Sequence, residues 1–368
     1  MSKINLENEK LKQKFFEYQK NAKGLSDATI QSNKNAMYIF DEFMNNKNYS
    51  TFTKNVAMDY KKYLENRVNK RTGEKLSWGT INKYLMSLRD FFIWLSQQKG
   101  YRNKIITSDI QYLNIERGKK RIATTENDVF FPSMDTIITV IKNIKITNDR
   151  NLRDRAFLSF LILSGMRISA IRTLPIKAFD ENTCQIFQDP KIGVKTKFSK
   201  KIFTVLVNFD NEIKQYFLDW VTYLKKEKCF KGTDPMFPKV KLQYNKENKS
   251  FDSVSVVPEF LKSSSRFDTI IKEHFRNSGY VEYCTKAIRH LAMYTATGKC
   301  KNGKELKAIS QNYGHENIYT TLCCYGRLSN EEVYETISKM DFTKNVSDTD
   351  NLMYKIMKVI EEENSKRF

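Results

Sequence analysis

Apolar side chains recur three and four positions apart along most of the chain. Ile81, Leu85, Leu88, Phe92 and Leu95 mark the clearest helix, Trp78–Gln98, which Ser77 can cap. Glu9–Lys20 is a polar amphipathic run holding Leu11, Phe15, Phe16 and Tyr18. Ser26 or Asp27 starts a helix with Ile30, Ala36, Tyr38, Ile39, Phe40 and Phe43, and Val56–Val68 is a third. Leu152–Leu174 reads as a long apolar helix broken at Ser164-Gly165. Thr183–Phe209 switches to alternation and predicts two or three strands with a polar hairpin over Lys195–Lys201. Phe209–Lys228 is helical again, and Cys229–Val257, with Gly232, Pro235 and Pro238, reads as a long loop or insertion. Helices follow over 265–278, 285–297, 306–313 and 319–325.

The pattern divides the chain. Residues 1–115 form a helical domain, 116–124 a basic linker and 125–343 a second domain. The linker carries Arg117, Lys119, Lys120 and Arg121 around Gly118 and holds no apolar residue up to Arg121. The tail, 344–368, places Leu352, Met353, Ile356, Met357, Val359 and Ile360 on one helical face, a surface suited to contact between protomers.

Composition then narrows the function. The 368 residues carry 63 Lys and Arg against 42 Asp and Glu, a net charge of +21 that calls for a polyanionic partner, nucleic acid first. Cys184, Cys229, Cys284, Cys300, Cys323 and Cys324 form no CxxC pair, and the chain has three His, so neither a disulfide framework nor a metal site is expected. No run is long and apolar enough for a membrane span, and the first residues hold no apolar secretion signal, so a cytoplasmic, nucleoid-associated bacterial protein is expected.

Three short signals in the second domain carry the chemistry: Gly165-Met166-Arg167-Ile168-Ser169, then Lys286-Ala287-Ile288-Arg289-His290, then Gly314-His315 followed ten residues later by Tyr325-Gly326. An Arg inside an apolar helical run is costly to bury without a partner. Together, with the hairpin lysines, the three signals resemble the tyrosine recombinase (phage integrase) family, which includes the Cre- and Xer-like recombinases. The segment Thr80-Ile81-Asn82-Lys83-Tyr84-Leu85 extends the likeness, which runs from about residue 8 to 343. It implies a mainly α protein with a small antiparallel β-sheet: a helical, SAM-like core-binding domain and a mixed α+β catalytic domain closing as a C-shaped clamp on double-stranded DNA.

The resemblance also assigns roles. Arg167 and Arg289 would hold the non-bridging oxygens of a phosphodiester through charge-assisted bonds, with His315 adding a third contact or positioning the nucleophile. Tyr325 would attack phosphorus, leaving a 3′-phosphotyrosyl link and a free 5′-hydroxyl, with no cofactor. A hairpin lysine would protonate the leaving oxygen; placement favours Lys197, with Lys200 the alternate and Lys195 and Lys200 also read as phosphate contacts. Lys286 stands where the family has His, Ala170 where it often has an acidic residue, and Tyr319 competes with Tyr325. Thr80, Asn82, Lys83 and Ser87 are candidate DNA contacts, as are Arg117, Lys119, Lys120 and Arg121. A homotetramer on DNA is implied, with a C-terminal helix linking protomers. The reaction expected is site-specific recombination, integrating or excising a mobile element. A type IB topoisomerase, a resolvase or a non-catalytic DNA-binding relative are the alternatives.

Overall fold

Side chains of Asn5, Ser26, Thr53 and Ser77 accept the first free backbone N–H groups of four helices and so fix where each begins. These are α1 (Leu6–Asn21), α2 (Asp27–Phe43), α3 (Lys54–Asn66) and α4 (Trp78–Leu95) in a computed structural model of the chain. The structure describes residues 4–69, 72–124, 130–245, 250–315, 321, 334–335 and 337–338. The chain divides into two units, Met1–Asn127 and Asp128–Phe368.

The first unit is held by aromatic packing. Phe15, Phe40, Tyr49, Tyr60, Phe91 and Phe92 are fully buried, and Phe52 stacks on Phe92 with ring centroids 3.8 Å apart. Each such ring contributes roughly 1.5–3 kcal/mol of burial. One polar cluster enters this core: Asp41 accepts from Lys12 at 2.6 Å and from the Tyr49 hydroxyl at 2.5 Å. A short α5 (Thr107–Ile110) follows. The basic run read as a linker instead forms a helix, α6 (Arg117–Thr124), inside this unit and against α4. Lys119 explains it: its Nζ lies 2.9 Å from Glu65, 3.3 Å from Glu116 and 4.7 Å from the centre of the Trp78 ring.

The second unit is built around α8 (Asp149–Ser164), whose side chains are buried from Ala156 to Ser164. Around it pack α7 (Met134–Lys142), which the sequence pattern did not single out, α10 (Asn211–Lys226) and α12 (Thr285–Gly298). α11 (Ser265–Asn277) and α13 (Gly303–Asn312) flank α12. Three antiparallel strands, β1 (Phe179–Asp180), β2 (Gln185–Gln188) and β3 (Ile202–Val205), form one sheet. The segment 229–257, expected as a loop, contains a second hairpin, β4 (Lys239–Asn245) and β5 (Ser250–Val257), registered from Lys239 opposite Val257 to Asn245 opposite Ser250. Within α8, Arg153 and Asp154 form a buried ion pair at 2.6 Å, and His274 adds a contact to Asp154 at 3.4 Å. Burial alone would raise the Asp154 carboxyl, but the Arg153 charge and the His274 hydrogen bond hold it below the usual carboxylate range.

Candidate active site

The helix α8 stops because Gly165 enters the left-handed region at φ +52°, which aims the following residues away from the helix axis. A Cβ there would sit 2.1 Å from Tyr313 Cε1, so only glycine lets these two segments approach. Arg167 then precedes the short helix α9 (Ile168–Arg172). Its Nη1 donates to the Gly314 carbonyl at 3.2 Å. That bond answers the expected lack of an orienting partner: Ala170 is buried in the core, and a backbone carbonyl does the orienting.

Arg289 comes from α12, only 8% exposed. Its Nη1 donates to Gly165 O, and its Nη2 donates to Tyr313 O at 2.7 Å and meets His315 Nε2 at 3.3 Å. One planar guanidinium thus joins the end of α8, the end of α13 and the histidine. The end of α13 is held by β3: the Thr204 hydroxyl donates to Asn312 O at 2.9 Å and Val205 N–H to Asn312 Oδ1 at 2.6 Å. Gly314 takes φ +68° and passes Ile202 so closely that a Cβ would lie 2.7 Å from Ile202 Cδ1.

Arg167, Lys197, Phe198, Lys200, Ile202, Gly314 and His315 line one cavity of about 80 Å³. Lys197 therefore lies where the hairpin reading placed it, on a turn whose Phe198 and Ser199 both have positive φ. Lys200 shares the cavity. Lys195 does not line it; its backbone N–H is held by Thr173 Oγ1 at 2.8 Å. Lys201, also in the hairpin, is paired with Asp189 at 2.9 Å. Lys286 is exposed at the start of α12, one turn before Arg289. Tyr325, Tyr319 and the 344–368 tail lie outside the described residues.

In the first unit, Lys83 is exposed on α4 and Thr80 and Asn82 are half-buried. Ser87 is 8% exposed, and its hydroxyl donates to Asn33 Oδ1 at 2.8 Å between α2 and α4. It braces the helix pair rather than facing solvent. Arg117, Lys120 and Arg121 are exposed on α6. Two residues of the site have no role assigned from the sequence, Ser310 and Thr321, which form a hydroxyl chain leading to His315. A lone Ser and a lone Thr carry no motif.

Burial, followed by the charges of Arg289 and Arg167, pushes the His315 imidazole down to about 3, so it is neutral at physiological pH. Below pH 6.5 the unfolded chain takes up a proton at this position that the folded chain refuses, so stability falls as pH drops from 6.5 toward 3. Asp154 acts in the same direction, its contribution being lost as pH falls through its lowered folded value. The His315 ring proton should show no NMR titration between pH 8 and 5. A midpoint near 6.5 would contradict the geometry.

One guanidinium, two lysines and a neutral imidazole around one cavity, with Arg289 bonded to that imidazole, suit a phosphodiester, on a helical protein of strong positive charge. That is the outline of an enzyme acting on DNA strands. The chain belongs to the phage integrase family: the family model matches residues 133–332, and the family's N-terminal SAM-like domain matches 13–119. It is a site-specific tyrosine recombinase, an enzyme that cleaves and rejoins DNA. Tyrosine recombinase XerC of Lactobacillus delbrueckii subsp. bulgaricus is 23% identical over 318 residues, covering 84% of this chain and 92% of that protein. The Tn1549 transposon integrase in complex with transposon right end DNA shares the fold at a TM-score of 0.59 and 16% identity, over 90% of this chain and 98% of that one. A lambda integrase dimer bound to a COC′ core site does so at 0.59 and 10% identity, over 91% and 99%.

Proposed function

We propose that this recombinase integrates or excises a mobile element through a 3′-phosphotyrosyl intermediate formed by Tyr325. The observation that carries the reading is the cavity where Arg167, His315 and Lys197 meet, with Arg289 bonded to the same histidine. Tyr325 Oη gives up its proton to solvent and bonds to phosphorus as the P–O5′ bond breaks, and Lys197 gives the departing oxygen its proton. Negative charge growing on the non-bridging oxygens meets Arg167 and Arg289, with Lys286 a further donor from the start of α12. The bond energy is kept in the tyrosyl link, so the strand is resealed by the reverse attack without ATP.

The partner is double-stranded DNA with a specific core site. Thr80, Asn82 and Lys83 on α4 and Arg117, Lys120 and Arg121 on α6 are the contacts we assign to the first unit. Among the described residues no helix is long and apolar enough to cross a membrane. We place the enzyme with the bacterial nucleoid, where its substrate lies.

The test is covalent trapping on a suicide DNA substrate carrying the element's end. The wild-type protein should form an adduct that survives denaturation. A substrate that is bound but never linked would turn the reading toward a non-catalytic DNA-binding protein.

Lys197→Ala should slow cleavage about a hundredfold, the lower end of what a lost general acid costs. A substrate with sulfur in place of the bridging 5′-oxygen should restore it, because a thiolate leaves without a proton. Should Lys200→Ala show the larger loss and the rescue instead, Lys200 is the acid.

Assembly as a homotetramer follows from the amphipathic 344–368 segment. Deleting 347–368 should leave single-site binding intact and weaken the higher complexes seen in a native gel. A deletion variant that assembles and recombines like the full chain would remove the tail from this role.

A further inference from the structure

The hydroxyl chain behind His315 has no place in the motifs or in the reaction described above. His315 Nδ1 lies 2.9 Å from Thr321 Oγ1, and the Thr321 hydroxyl donates to Ser310 Oγ at 2.8 Å. Thr321 is 1% and Ser310 3% exposed, so neither hydroxyl trades this partner for water. A hydroxyl has one proton. That of Thr321 points to Ser310, so its oxygen faces the imidazole as an acceptor, and Nδ1 must carry the ring proton. The opposite end agrees. Nε2 faces Arg289 Nη2 at 3.3 Å, and a guanidinium only donates. The polarity therefore runs one way, from Arg289 to Nε2 and from Nδ1–H through Thr321 to Ser310.

We propose that Thr321 and Ser310 are positioning residues that lock His315 in the Nδ1–H tautomer, so that Nε2 accepts from Arg289 and fixes that guanidinium at the reacting centre. Among the described residues, the charged and titratable groups facing the ring are Arg289 and His290 on α12, Arg167 before α9 and Lys197 on the hairpin turn. None of these is acidic, so none favours a second proton. The free protein then controls the ring through its tautomer rather than its charge. Thr321 is also four residues before Tyr325 in the sequence, so the same bond tethers the chain leading to the nucleophile to the histidine itself. This inference rests on reading His315 as part of the phosphodiester site.

The test uses the full chain with ¹⁵N-labelled histidine. There are three histidines, His274, His290 and His315, so assignment by single substitution is direct. Long-range ¹H–¹⁵N spectra should show His315 with Nδ1 protonated. Thr321→Val should release the ring to a mixture of tautomers or to Nε2–H, Thr321→Ser should restore the original, and Ser310→Ala should weaken it. In single-turnover cleavage of a bound suicide site, Thr321→Val should be slower by roughly 10–100-fold, as when the partner orienting a histidine is removed. DNA affinity should stay unchanged, the pH profile of cleavage should alter, and Thr321→Ser should recover both rate and profile. A wild-type His315 protonated at Nε2, or a Thr321→Val spectrum identical to wild type, overturns the proposal. Should wild type form no covalent adduct, the functional reading fails, and the spectra still decide the tautomer. Were Thr321→Val unfolded, Ser310→Ala and Thr321→Ser would decide it.

Discussion

Tyr325→Phe should form no covalent adduct on a suicide substrate, while Tyr319→Phe should form it at close to the wild-type rate. Removing one phenolic oxygen takes away the only atom that can bond to phosphorus and leaves ring packing and charge intact. DNA affinity should therefore match wild type in a gel-shift titration. The choice of tyrosine rests on spacing: Tyr325 stands ten residues beyond His315 and is followed by Gly326, whereas Tyr319 stands four beyond. An adduct lost with Tyr319→Phe and kept with Tyr325→Phe would reverse the assignment. The anchor at Thr321 makes this a sharp comparison. The two tyrosines lie on opposite sides of it in the sequence, at two and four residues.

Arg289→Lys should slow cleavage about a thousandfold, near the upper end for losing one preorganised donor to a developing oxyanion. The substitution keeps the positive charge, so a site that needed only charge would hardly notice. Arg289 supplies geometry as well. Its two terminal nitrogens reach Gly165 O and Tyr313 O at once while the second also meets His315. A lysine ammonium is a point donor on a flexible stem and cannot span them. At least one buried carbonyl would lose its partner, at a cost of about 1–3 kcal/mol, so the urea midpoint should fall along with the rate. A variant within about threefold of wild type in single-turnover cleavage would show that the guanidinium fork is not what the site requires.

The helices were legible where an apolar stripe coincided with a capping side chain. Trp78–Leu95 behind Ser77 and Asp27–Phe43 behind Ser26 fall within a few residues of the sequence reading, and so does Thr285–Gly298, which has no capping side chain. The break at Gly165 was visible because glycine ends helices, but its closeness to Tyr313 was not, since 148 positions separate the two in the chain. Arg167, Arg289 and His315 stood out from the three signals taken together, and the structure brings them near one another. The carbonyls that orient the arginines did not stand out, because any residue supplies a carbonyl. The β4–β5 hairpin was hidden by Gly232, Pro235 and Pro238 upstream, although Val240, Leu242 and Tyr244 alternate with Lys239, Lys241 and Gln243. α6 was hidden by its charge: a run with so little apolar side chain reads as solvated, and only the carboxylates of Glu65 and Glu116 and the Trp78 ring give Lys119 a reason to dock.

That docking has a consequence for how tightly the enzyme can be washed from DNA. Each cation that neutralises a phosphate sets free a condensed counterion, and the number released fixes how steeply affinity falls with salt. Lys119 already has two carboxylates as resident counterions, and Lys142, Lys201 and Lys228 each hold at least one. To engage DNA these side chains would exchange one anion for another and release little sodium or potassium. The 63 basic residues therefore overstate the ionic component of binding. A recombinase built this way keeps hold of its site as ionic strength rises, further than its raw charge would suggest.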